Sequence, residues 1–366
     1  IMKNYTLFLW IALLMLGISG TIGAREVASF NDGWEFKKGP FSKEALQAVQ
    51  KWNSDWQEVS IPHTWNADDM QKQASAFYEG VGYYRKKFTF PENMEGKRIF
   101  LRFEGVGSYA EVYINGYLIK DHYGSNAGFQ VDITNYLVEG ENDLVVYCFD
   151  PSKDRSIPRG KQDWELEGHA IWYTRTTGIY KSVWLEQVDK KYIKNFFVRT
   201  KLDRYCISYD VEVSEPNGTL EIIVYDGNDS VKNSFKVTKK KNTYEFCLPN
   251  DFVNDRIWTL QRPFLFDINL ILKDDYGNVV DKVNSYLGIR EVKTENGKVL
   301  LNGLPIYQKL VLNQGYYVDG NLTAPTVEDM EKDIDDMIAM GFNGCRIHQK
   351  AEDPLFLYCL LYTSDA

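Results

Sequence analysis

Arg346 and His348 stand two residues apart in the run FNGCRIH, which begins at Phe342. Read as a strand, that run turns both side chains to one face near its C-terminal end, because side chains alternate with a period of two. A cation and an imidazole placed there supply directional donors to an oxygen-rich ligand. The competing reading of Arg346 is an ordinary salt-bridged arginine. The histidines (His63, His122, His169, His348) are dispersed and show no metal-ligand spacing, and no cofactor is implied.

The strand must be positioned by what precedes it. Thr326-Val-Glu-Asp329 has the form of a capping box, with Pro325 just outside and acids in the first turn to suit the helix dipole. Val327, Met330, Ile334, Met337 and Ile338 form one apolar stripe, and Gly341 supplies a stop. A hairpin in KVLLNGLPI, turning at Asn302-Gly303, precedes the helix and is expected to plug a barrel floor or to form its first strand. Strand, helix and strand in this order suggest the start of a (β/α)8 barrel, whose chemistry lies at the C-terminal strand ends. From Glu295 to Ala366 the chain offers far fewer residues than the ~250 such a barrel uses.

Upstream the pattern is all β. In KRIFLRFEG, Ile99, Leu101 and Phe103 share one face and Arg98, Arg102 and Glu104 the other. Asn115-Gly116 joins AEVYI to YLIKDHY, a hairpin signal because both turn residues tolerate positive φ. Many short strands without a helical pattern predict a jelly-roll β-sandwich over residues 25–188. Asp150 to Gly168 is a long polar excursion whose flanking Trp164 and Trp172 favour an ordered, functional loop. Some seven strands over residues 189–291 predict an immunoglobulin-like β-sandwich, read as a spacer. The fold class is therefore mainly β, with a barrel beginning at 292–358.

Bulk properties exclude some functions. With 44% apolar and 14% aromatic residues, the chain fills several cores. A net charge of −9 argues against nucleic acid. Residues 1–24 have the form of a signal peptide: Lys3, an apolar run from Leu7 to Ile18, then small residues to Ala24. The run is too short for a membrane span, so the expectation is export to the periplasm or beyond, with no membrane association after cleavage. Cys206 and Cys247 lie in strands of the second sandwich. A bridge between them is the alternative, and buried free thiols are the reading taken.

Several stretches together resemble glycoside hydrolase family 2, the group of β-galactosidases, β-glucuronidases and β-mannosidases. They include FNDGWEF, VSIPHTWN, GVGYYRKKFTFP, FQVDITNYLVEGENDLVV, TTGIYKSVWLE, LGIRE, LLNGLPI and MGFNGCRIHQ. The resemblance runs from about Phe30 to Tyr358. It implies a sugar-binding jelly roll, an immunoglobulin-like sandwich and a catalytic barrel that hydrolyses glycosides with retention, using two glutamates about 5 Å apart. Those glutamates belong to later barrel strands, and Glu352 comes too early to be one of them, so no catalytic residue is assigned in this chain.

As substrate-binding residues the resemblance implies Arg346 and, with one residue less spacing than in the family, His348. Where many members carry an Arg-Gly-x-Asn-x-His run, this chain reads Lys309-Leu-Val-Leu-Asn313-Gln314, which marks Gln314 and leaves the sugar open. The loop PRGKQDW, with Gln162 and Trp164, and the adjoining His169 are expected to reach over the barrel mouth; the alternative is domain packing. Residues 359–366 depart from the family and are expected to be a gene-assembly artefact. The function expected is the N-terminal part of an exported exo-β-glycosidase whose partner is a β-linked carbohydrate, with homo-oligomerisation of the parent left open. The alternative is a non-catalytic carbohydrate-binding protein, which would have no use for the capped helix and the FNGCRIH strand.

Overall fold

The computed structural model describes residues 25–40, 56–67, 77–90, 95–166 and 169–362. The expected leader lies outside them. In the first sandwich a six-stranded antiparallel sheet runs, in spatial order, Gln57–Val59, Trp34–Gly39, Val81–Phe90, Gly140–Phe149, Tyr109–Ile114 and Tyr117–Tyr123. A four-stranded sheet of Glu26–Ser29, Val183–Asp189, Lys97–Phe103 and Phe129–Asp132 joins it around one core. Alternation decides which residues enter that core. Ile99, Leu101 and Phe103 from one sheet pack with Leu144, Val146 and Cys148 from the other, all fully buried. Asn115 and Gly116 adopt φ of 50° and 84°, as the hairpin signal requires.

The second sandwich has seven strands. Ile193–Lys201, Cys206–Val213 and Lys241–Cys247 form one sheet; Asp229–Lys236, Thr219–Asp226, Phe266–Lys273 and Val279–Leu287 form the other. Between the two sandwiches, Arg25 Nη1 donates to Glu186 Oε1 at 2.5 Å. Its Nη2 donates to Asp281 Oδ2 at 2.8 Å and to the Ile193 carbonyl at 2.6 Å. Asp281 is fully buried and also accepts from the Ile193 N–H at 2.7 Å, so its charge is compensated on both sides.

Cys206 and Cys247 correct the free-thiol reading. They face each other directly across antiparallel strands, Cα atoms 3.8 Å apart, and form a disulfide. The sequence places both in strands but leaves their register open, and register is what puts the two sulfurs within bonding distance.

The chain then turns to β-then-α. Val292–Glu295, Lys298–Leu301 and Leu304–Pro305 make a small antiparallel sheet, so the Asn302-Gly303 hairpin stands apart from the parallel strands that follow. Leu310–Asn313 pairs in parallel with Gly344–Ile347, and the helix Val327–Ala339 crosses between them. That helix begins at the expected capping box: the Asp329 N–H donates to Thr326 Oγ1 at 3.1 Å, and the Thr326 N–H donates to Asp329 Oδ2 at 3.1 Å. Met330 and Ile334 of the stripe are buried against Phe356 and Cys359 of the helix Pro354–Tyr362. The expected artefactual tail is thus helical through Tyr362, with Cys359 fully buried and the Leu361 carbonyl accepting from Trp258 Nε1 at 2.9 Å. Residues 363–366 lie outside the described residues.

Non-reducing denaturation should expose three titratable thiols, and reduction five. Replacing Cys206 and Cys247 together by serine should cost roughly 2–4 kcal/mol of stability in urea unfolding.

Candidate substrate site at the strand ends

The two parallel strands present different chemistry on their two faces. Cys345 packs against the helical cluster, and Ile347 borders an apolar cavity of about 560 Å³ reaching Trp258, Tyr286 and Met337. Leu312 and Arg346, paired in register, both lie exposed, as alternation requires of the opposite face. Arg346 makes no ion pair among the described residues, so the salt-bridged reading is not what is observed. His348 follows at the strand's end, half-buried, its backbone N–H donating to the Asn313 carbonyl at 3.0 Å.

Just beyond the strands, Asn313 Nδ2 donates to Glu352 Oε2 at 3.2 Å, and Lys350 Nζ sits 2.7 Å from the same carboxylate. All three are buried or nearly so. This cross-link ties the two strand ends together and occupies Glu352. The cross-link is the part of the site that sequence reading missed: the sequence marks Asn313 and Glu352 separately, and only the parallel register joins them to each other and to Lys350. The Gln314 amide oxygen is buried and has no hydrogen-bond partner among the described residues, as is the Tyr316 hydroxyl.

The first sandwich reaches this place through the excursion after Asp150. Arg175, fully buried, anchors that loop: Nε donates to Asp150 Oδ2 at 2.8 Å, Nη2 to Asp150 Oδ1 at 2.6 Å, and Nη1 to the Asp163 carbonyl at 3.1 Å. Burial pushes the Asp163 carboxyl up. Hydrogen bonds from the backbone N–H groups of Glu165 and His169, and from the His169 ring at 2.9 Å, outweigh it and hold the group below the usual carboxylate range. The loop then packs on the strand ends. Tyr173 stacks on Tyr316 with centroids 4.1 Å apart, and Gly160, at φ 64°, lies so near the Gln349 carbonyl that a Cβ would come within 2.4 Å of it. Asn321 Nδ2 donates to the Arg175 carbonyl at 3.3 Å, and Lys181 Nζ to the Ala351 carbonyl at 3.4 Å.

Two family models match the chain in tandem: "Glycosyl hydrolases family 2, sugar binding domain" over residues 27–189 and "Glycosyl hydrolases family 2" over residues 191–290. The chain belongs to glycosyl hydrolase family 2. A β-glucuronidase of Bacteroides fragilis is 27% identical over 365 residues, covering 94% of this chain and 49% of the relative. A β-galactosidase of Thermoanaerobacter pseudethanolicus is 28% identical over 297 residues, 77% of this chain and 38% of the relative. Among solved structures, a candidate β-galactosidase from Bacteroides fragilis superposes with a TM-score of 0.74 at 31% identity, covering 92% of this chain and 52% of that one. The chain thus spans between about a third and a half of the length of these family 2 proteins.

Within this family 2 chain the expected binding residues fall into two groups. Arg346, His348 and Gln314 lie together at or just after the ends of the parallel strands. Trp164 and His169 meet in the loop, rings 4.9 Å apart and nearly perpendicular. Gln162 is corrected: it is 2% exposed, its Oε1 accepts from the Thr176 N–H at 2.7 Å, and its Nε2 donates to the Arg159 carbonyl at 3.1 Å. Both ends of its amide are thus engaged in holding the loop. A lone glutamine in a polar loop gives no sequence sign of which way its amide turns.

Replacing Arg175 by methionine should strand the Asp150 carboxylate in the interior and cost about 3–5 kcal/mol in chemical unfolding. Because its pKa is depressed, Asp163 stabilises the loop above the ordinary carboxylate range and loses that contribution as pH falls below it. Protease sensitivity of the loop should therefore rise on acidification.

Proposed function

We propose that the chain is the N-terminal part of an exported retaining exo-β-glycosidase that removes terminal β-linked sugars from a glycan. The observation that carries this reading is the crossover unit docked on two sandwiches. Its two parallel strands end beside the first sandwich's loop, with Arg346 open on the face a completed barrel would turn inward. A non-catalytic binding protein gives no reason for such a unit. The relatives are β-glucuronidases and β-galactosidases, which supports the reaction class.

In the reading proposed, Arg346 and His348 donate to sugar hydroxyls and to the nucleophile carboxylate. A guanidinium offers fixed, charge-assisted hydrogen bonds to both. The acid/base and nucleophile glutamates, one protonating the leaving oxygen while the other attacks the anomeric carbon, are supplied by later barrel strands. Glu352 takes no part, being engaged by Lys350 and Asn313. Export rests on the residues 1–24 pattern.

These 366 residues alone should release no aryl leaving group from any β-glycoside and should aggregate through the unpaired parallel edge. A longer gene product carrying further βα units should turn over at least one aryl β-glycoside. In it, Arg346→Ala should lower kcat/KM about a hundredfold, the loss of one strong charge-assisted hydrogen bond. Turnover by the 366 residues, or none by the longer product, would sink the proposal.

A further inference from the structure

We propose that the first sandwich's loop carries an anion subsite for an acidic glycan, taking a carboxylate or a sulfate on a sugar unit next to the one cleaved. The proposal rests on the glycosidase reading above. Between residues 151 and 162 the chain places Lys153, Arg155, Arg159 and Lys161 against one acid, Asp154, although the whole protein carries a net charge of −9. Asp154 is turned inward on its own loop, accepting from the Ser156 N–H at 2.8 Å and the Ser156 hydroxyl at 2.6 Å. None of the four cations pairs with a carboxylate among the described residues.

Two of them are held in place by aromatic faces. The Arg159 guanidinium lies 4.1 Å from the Trp164 ring centroid and 5.6 Å from that of Trp172; Lys161 Nζ lies 4.6 Å from the Trp172 centroid. The two tryptophans pack edge to face at 4.9 Å. Contact with a ring face uses the cation's charge but leaves its N–H groups free to donate, unlike a salt bridge. The platform is built before any ligand arrives: Asp163 and Arg175 are buried beneath it, and the Gln162 amide closes it, so little ordering remains to oppose binding.

Its location supplies the ligand class. Gly160, between Arg159 and Lys161, rests on the Gln349 carbonyl one residue beyond His348. The two cations therefore flank the contact between loop and strand end. Half-buried tryptophans beside them offer apolar faces that suit a pyranose ring. An anion held beside Gln349, past the strand end that carries Arg346 and His348, is assigned to a neighbouring unit of the same glycan.

The longer gene product would be titrated with a glucuronate-bearing β-linked oligosaccharide, a sulfated one, and the neutral counterpart of each, at low and high salt. Acidic probes should bind at least tenfold tighter than neutral ones at low salt, less so at high salt. Comparison of the two acidic probes tells carboxylate from sulfate. Arg159→Gln and Lys161→Gln should each lower the acidic-over-neutral ratio about tenfold, with the thermal midpoint unchanged. If either variant unfolds, Arg159→Lys, which keeps charge but loses the planar fork, should give a partial loss. Equal binding of acidic and neutral probes, or a preference surviving in the double variant, overturns the subsite. Aryl-glycoside turnover in the same preparations separates the two proposals. Turnover without acidic preference overturns the subsite alone; an Arg159-dependent preference without turnover overturns the glycosidase reading and the placement beside a cleaved unit, and leaves the anion site standing.

Discussion

The buried pair of Arg175 and Asp150 is the interaction on which the site depends. Asp150 directly follows the strand Gly140–Phe149, and Arg175 lies on the returning segment, so their two hydrogen bonds close the excursion between them. Taking both charges out of water costs several kcal/mol, which the bidentate geometry offsets only because the remaining donor also finds the Asp163 carbonyl. The Arg175 carbonyl meanwhile accepts from Asn66 in the first sandwich and Asn321 beside the helix. One residue thus shapes the loop with its side chain and docks it with its backbone.

That docking explains how a sandwich can contribute to a site at the end of a barrel strand. Sheets present flat faces, which suit stacking against other sheets, whereas strand ends offer only loops and unpaired backbone. The loop and the segment that follows it bridge the two through an aromatic stack, a glycine contact and side-chain hydrogen bonds to carbonyls. Arg25 performs the corresponding task between the sandwiches, and Trp258 between the second sandwich and the terminal helix. Each junction is crossed by hydrogen bonds from a polar side chain, which favours one relative placement over others.

Much of the fold was legible in the chain because its signals are local. Alternation in KRIFLRFEG, the Asn115-Gly116 turn and the Thr326–Asp329 capping box each depend on residues a few positions apart, and each appears as expected. The seven strands of the second sandwich follow for the same reason. The site was legible only in part. Arg346 and His348 could be set at a strand end from their spacing, and the Trp-flanked loop could be read as ordered.

What the sequence by itself determined, then, is the succession of two sandwiches and a crossover unit, along with which residues line each strand face. Those follow from periodicity and turn chemistry, which act over single turns and pleats. Only the tertiary structure decided that Cys206 meets Cys247, that the buried Gln162 amide bonds to Arg159 and Thr176, and that Asn313, Lys350 and Glu352 cross-link the strand ends. These depend on register between strands and on which of several donors reaches a buried acceptor first. Both are settled by the packing of segments distant in the chain, and no short window of residues contains them.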